Sequence, residues 1–109
     1  MGGGIKLTDT EWMDWYFGDA YDGNTNFYFA IRVTGYSKLK IYQDWYNDGI
    51  RAVNIYDGYD INNATFITTT CQVYQQEYEV DISNYDYILI KRKDVSYGTG
   101  TKGKYQLLV

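Results

Sequence analysis

Apolar and polar residues alternate with a period of two along most of the chain, and this most restricts the fold. Successive side chains of a β-strand point to opposite faces, so alternation marks strands half-buried against one core. From 26 to 34, Phe27, Phe29, Ile31 and Val33 share one parity, and Tyr28, Ala30, Arg32 and Thr34 the other. Leu39 and Ile41 alternate with Lys38, Lys40 and Tyr42, and Val53 and Ile55 repeat the pattern. Ile67, Cys71 and Val73 share a parity in a Thr-rich run from 65 to 74. Tyr78, Val80 and Ile82 follow, then Ile88 and Ile90 opposite Leu89, and finally Tyr105, Leu107 and Val109. Ile5 and Leu7 are expected to open the first strand.

Turn residues separate these runs: Asp22-Gly23-Asn24, Gly35-Tyr36-Ser37, Asn47-Asp48-Gly49, Asp57-Gly58, Asn62-Asn63 and Ser83-Asn84. Eleven Asp against three Glu points the same way, because Asp favours turns and Glu helices. The expectation is an all-β, antiparallel two-sheet sandwich, jelly-roll-like, with about eight strands. Residues 1–4 read as a flexible glycine-rich start and 5–109 as one domain. Thr8 to Phe17 is ambiguous: Thr8 and Glu11 have capping-box spacing, yet Met13, Trp15 and Phe17 alternate. It reads as a strand or an irregular segment.

Composition excludes several functions. The chain of 109 residues has no histidine, one cysteine and a net charge of −4. Without His the usual general base and the Ser-His or Cys-His nucleophile pairs are absent, so no enzyme is expected. Excess negative charge opposes nucleic-acid binding, and no apolar run is long enough to insert in a membrane as a helix. Lys91, Arg92, Lys93, Lys102 and Lys104 read as the charges of a solvated edge strand. Cys71 reads as a buried, inert thiol. Met1 leads straight into glycines with no signal-peptide pattern. The chain is therefore expected to be a domain of an extracellular protein or a virion component.

Fourteen Tyr and three Trp exceed what a small core needs, so several rings must lie on the surface. Trp45 and Tyr46 sit among Asp44, Asn47 and Asp48 at a strand end, and Trp12, Trp15 and Tyr16 beside Glu11 and Asp14. Flat rings stack on the C–H faces of sugars, while Asp and Asn bind their hydroxyls. Trp45, Tyr46, Asp44, Asn47, Asp48 and Trp12 are thus the candidate ligand-binding residues, with Trp15 read as core. Asp19, Asp22 and Asn24, and Asp57, Asp60 and Asn62, form two oxygen-rich turns that could hold calcium or simply make turns.

The hydrophobic strand from Phe27, the glycine turn, Leu39-Lys40-Ile41-Tyr42, then Arg51 and Ile55-Tyr56-Asp57-Gly58, with Tyr87-Ile88-Leu89-Ile90 later, resemble the strand rhythm of carbohydrate-binding modules. These are non-catalytic sandwiches of jelly-roll or galactose-binding-like form. The resemblance implies a glycan or polysaccharide partner, surface aromatics and often a structural calcium. The same Tyr-, Asn- and Asp-rich composition also fits a structural or assembly module of a phage virion or cell-surface fibre. In that reading the C-terminal strand would be an unpaired edge that binds protein subunits.

Overall fold

The computed structural model describes residues 6–18, 27–46, 52–93 and 100–109. They form eight strands: β1 (Met13–Phe17), β2 (Tyr28–Arg32), β3 (Lys38–Tyr46), β4 (Val53–Asp57), β5 (Thr65–Thr70), β6 (Tyr78–Asp81), β7 (Tyr87–Arg92) and β8 (Thr101–Leu108). No helix occurs among the described residues.

The strands pair as a nested hairpin. β1 pairs with β8, β2 with β7, β3 with β6 and β4 with β5, all antiparallel. Rolling that hairpin adds two further contacts, β3 with β8 and β4 with β7. The result is a first sheet ordered β1-β8-β3-β6 and a second ordered β2-β7-β4-β5. This is the eight-stranded jelly roll.

The alternation read from the sequence sorts the side chains. Trp15, Phe17, Leu39, Ile41, Val80, Tyr105 and Leu107 of the first sheet face Val53, Ile55, Ile88 and Ile90 of the second. Four aromatic rings carry the packing from sheet to sheet: Trp15 on Phe17 (5.6 Å), Phe17 on Phe29 (5.7 Å) and Phe29 on Tyr105 (6.1 Å). Such tilted pairs add to what the buried area alone contributes.

The four buried polar side chains among the described residues, Gln43, Thr70, Arg92 and Thr101, lie towards the end of the sandwich where β3, β5 and β7 finish and β8 begins. They hydrogen-bond the roots of the connections that leave there. Arg92 Nη1 donates to the Gly18 carbonyl, and Thr70 Oγ1 donates to the Val53 carbonyl at 3.0 Å.

Three expectations are corrected. Leu7 opens no strand. It lies against the Gly35 turn, where φ of +89° suits glycine and a Cβ would stand 2.8 Å from the Leu7 side chain. The strand that follows, β1, begins only at Met13. Ahead of it, the Thr10 N–H donates to the Leu107 carbonyl at 2.9 Å and Thr10 Oγ1 accepts from the Leu107 N–H at 2.9 Å. Secondly, β5 stops at Thr70. Cys71 takes φ of +61°, a left-handed conformation that reverses the chain, so Val73 is exposed rather than in the core. Thirdly, β7 and β8 are interior strands, each paired on both sides. Lys91, Arg92, Lys102 and Lys104 therefore do not guard an edge, and the C-terminal strand is no unpaired edge for a partner subunit.

Gly103 is where the first sheet is tightest. It sits opposite Trp15 on one side and Gln43 on the other. A Cβ there would meet the Tyr42 carbonyl oxygen and come within 2.6 Å of the Trp15 ring. Gly103→Ala should therefore cost about 3 kcal/mol or more, read as a lower midpoint in urea with red-shifted Trp fluorescence. Cys71 is fully buried, and desolvation pushes its thiol up to about 12. At about pH 8 a thiol reagent should label it only after denaturant unfolds the chain.

Candidate functional site

The outer face of the first sheet is built by cross-strand rows. Asp14, Lys104 and Tyr42 are register partners across β1, β8 and β3, and Tyr16, Lys102 and Trp45 form the next row. The second row depends on a β-bulge. Gln43 pairs with Gly103 but Trp45 pairs with Lys102, so Asp44 is the extra residue. A bulge changes which face the following side chains take. It turns Trp45 outward and sets Tyr46 opposite the buried Thr101.

An interior relay holds the bulge. Gln43 Nε2 donates to Thr101 Oγ1 at 2.8 Å, and Thr101 Oγ1 donates to the Trp45 carbonyl at 3.1 Å. From the other side, the Gln75 N–H donates to the Gln43 carbonyl at 3.0 Å and the Tyr74 hydroxyl to the Asp44 carbonyl at 3.1 Å. The backbone of 43–45 is thus fixed on both sides, and with it the direction of the Trp45 ring.

Asp14, Tyr16, Asp44, Lys102 and Lys104 line a groove of about 420 Å³ over Trp15 and Gly103. The aromatic rim is exposed: Tyr16 at 61%, Trp45 at 38% and Trp12 at 37%. Trp12 meets Tyr42 edge-on with ring centroids 5.2 Å apart. Lys104 Nζ lies 2.5 Å from Asp14 Oδ1. Its hydrogen bond and charge hold the Asp14 carboxyl below its ordinary value, and Asp14 in turn raises Lys104. Asp44 Oδ1 is enclosed and accepts no hydrogen bond.

The candidate ligand residues divide. Trp12, Asp44 and Trp45 come together on this face. Tyr46 does not; it packs edge-on against Tyr74 at 5.4 Å. Asn47 and Asp48 lie outside the described residues. Tyr42, Lys102 and Lys104 belong to the site and were not among the candidates. Their signal is the shared parity of Tyr42, Lys102 and Lys104 with polar neighbours, which becomes a site only once β8 is known to lie between β1 and β3.

Of the two acidic turns, Asp19, Asp22 and Asn24 lie outside the described residues. At the other, Asp60 Oδ1 accepts from the Asn62 N–H at 3.0 Å and Oδ2 from the Asn63 side-chain amide at 2.7 Å. Both oxygens thus serve the turn, and Asp57 ends β4 as an exposed residue. No group of three or more His, Cys, Asp or Glu able to hold a metal occurs among the described residues.

A second aromatic surface covers the outer face of the second sheet. Tyr56 packs on Phe66 at 5.7 Å and Tyr59 on Tyr87 at 5.3 Å. Leu89 also points outward, opposite Ala30 and Tyr56, yet is fully buried.

No protein-family model matches the chain, and searches of curated proteins and of solved structures find no match either.

The Asp14–Lys104 pair is surface-exposed, so its contribution to stability is small. Its sign is defined: a depressed carboxyl contributes above the unfolded-state pKa and loses that contribution as pH falls through the folded one. Asp14 should titrate by NMR below its ordinary 3.8, and Lys104→Met should return it towards that value.

Proposed function

We propose that the protein is a non-catalytic carbohydrate-binding module of the extracellular space that holds a glycan on the outer face of the first sheet. The observation that carries this reading is the groove of Asp14, Asp44, Lys102 and Lys104 flanked by the rings of Tyr16, Tyr42 and Trp45. Pyranose rings present C–H faces to aromatic surfaces, and their hydroxyls both donate and accept. Carboxylates accept from hydroxyls and ammonium groups donate to them. Two acids against two lysines balance the groove, and the chain as a whole carries −4, which favours a neutral saccharide over a polyanion.

A rigid scaffold also favours recognition. The rings project from paired strands rather than from loops, so little freedom is lost when a ligand orders them. Acid catalysis on a glycoside needs a carboxyl with a raised pKa, whereas Lys104 lowers that of Asp14. A virion or fibre subunit that binds protein is the second reading, favoured by the exposed Phe66 and Tyr59 of the second sheet.

A glycan array run with and without calcium tests the first reading. Binding to neutral polysaccharides is expected, and Trp45→Ala or Tyr42→Ala should weaken it about tenfold or more, equivalent to about 1.4 kcal/mol. Tyr59→Ala, on the other sheet, should bind as the parent does. Silence across the array, or equal loss in all three variants, removes the proposal.

A further inference from the structure

Among the described residues, each sheet has two strands with one unpaired side, β1 and β6 in the first and β2 and β5 in the second. Unpaired backbone N–H and C=O groups are a template for another chain, and a charge within the edge strand is a common guard. Three of these edges carry one: Asp14 in β1, Arg32 in β2, and Glu79 with Asp81 in β6. β5, Thr-Phe-Ile-Thr-Thr-Thr, carries none.

The neutrality extends well beyond the strand. No charged residue occurs between Asp60 and Glu77, the longest uncharged run in the sequence. Within it Phe66, Val73 and Tyr74 are exposed. A neutral, β-branched segment without proline has the composition that stacks readily strand on strand.

A bulge at Ile67 interrupts the first half of β5, since Phe66 faces Tyr56 while Thr68 faces Ile55. Bulges also blunt edges. Beyond it, however, Thr68, Thr69 and Thr70 run in unbroken register with Ile55, Asn54 and Val53. There the Thr69 carbonyl accepts from the Gln72 side-chain amide at 3.2 Å, a contact that the N–H of an incoming strand can replace.

We propose that a second copy of the chain pairs with this edge, β5 against β5, antiparallel about a twofold axis. The two second sheets then become one continuous sheet, four strands from each copy. Neutrality selects the occupant. Across a twofold axis a segment faces itself, so any charge near the axis meets its own like charge. A partner of different sequence imposes no such condition and is commonly steered by charge.

Sedimentation of the full chain tests this. A reversible dimer is expected at high-micromolar concentration. Thr69 lies on the outer face, opposite Asn54, and Thr69→Lys should raise the dimer dissociation constant about tenfold or more. Phe66→Lys, at a position 55% exposed, should act likewise. Ala30→Lys, on the guarded edge of β2, should leave it unchanged, with circular dichroism melts showing that each variant folds. Amide exchange on the parent chain gives a reading free of mutation: protection across 65–70 should rise with protein concentration. A monomer at every concentration, a dimer indifferent to both β5 lysines, or exchange that ignores concentration overturns the proposal.

Discussion

The structure depends on seating the last strand between the first and the third. Trp15 Nε1 donates to the Lys104 carbonyl at 3.3 Å across 89 residues of sequence, and its ring occupies the space that a side chain at Gly103 would take. Without β8 the first sheet has no centre: among the described strands, β1 loses its one partner and β3 keeps β6 alone. The nested pairing means that the contacts joining β1 to β8 close the longest loop in the chain. Ordering that loop costs entropy before its contacts form, so folding is expected to be cooperative and slow for the chain's size. Glycine at 103 serves this step, because two backbones and an indole converge on one residue.

The interior then divides along its length. Apolar side chains fill the middle, and Gln43, Thr70, Arg92 and Thr101 gather at the end from which the connections 18–27, 47–52, 71–77 and 93–100 depart. A buried guanidinium is costly in an apolar setting, but at the sandwich end that of Arg92 donates to the Gly18 carbonyl just past β1. The Lys93 N–H to Ala52 carbonyl and Arg92 N–H to Phe27 carbonyl bonds tie the same roots together. This polar end reaches the candidate site directly. The Gln43–Thr101 relay ends on the Trp45 carbonyl, so the direction of a surface ring is set from the core.

Much of the fold is legible in the sequence because period two is a geometric property of strands. Phe29, Ile31, Leu39, Ile41, Val53, Ile55, Ile88 and Ile90 took the faces their parity assigned, and Trp15 is core. The failures fall where a local event breaks parity. The bulge at Asp44 turned Trp45 outward and Tyr46 inward, the reverse of what their parity assigns, and the left-handed Cys71 ended β5 before Val73. A linear pattern marks neither: Cys71 suits a strand, and Asp44 reads as the approach to a turn rather than as an extra residue inside β3. The candidate site was half legible for a different reason. Trp12, Asp44 and Trp45 advertise themselves as rings beside polar groups, whereas Lys102 and Lys104 acquire meaning only through their cross-strand neighbours. Read along the chain they look like edge charges. In the sheet they are the centre of the face.

The two proposals fall on separate sheets. The groove belongs to the outer face of the first sheet, and the unguarded strand is an edge of the second. Pairing through β5 extends the second sheet and leaves Tyr42, Trp45 and the groove uncovered on each copy. With the glycan reading proposed above, a dimer joined this way would hold two identical glycan sites at a fixed separation, with no flexible linker between them. Saccharide chains repeat, so two sites on one rigid body convert the second binding event into an intramolecular one and raise avidity without any new contact. On that reading, weak stacking at an exposed groove would be sufficient for retention on a polymer. That removes any need for the deep enclosure that a sandwich face does not provide.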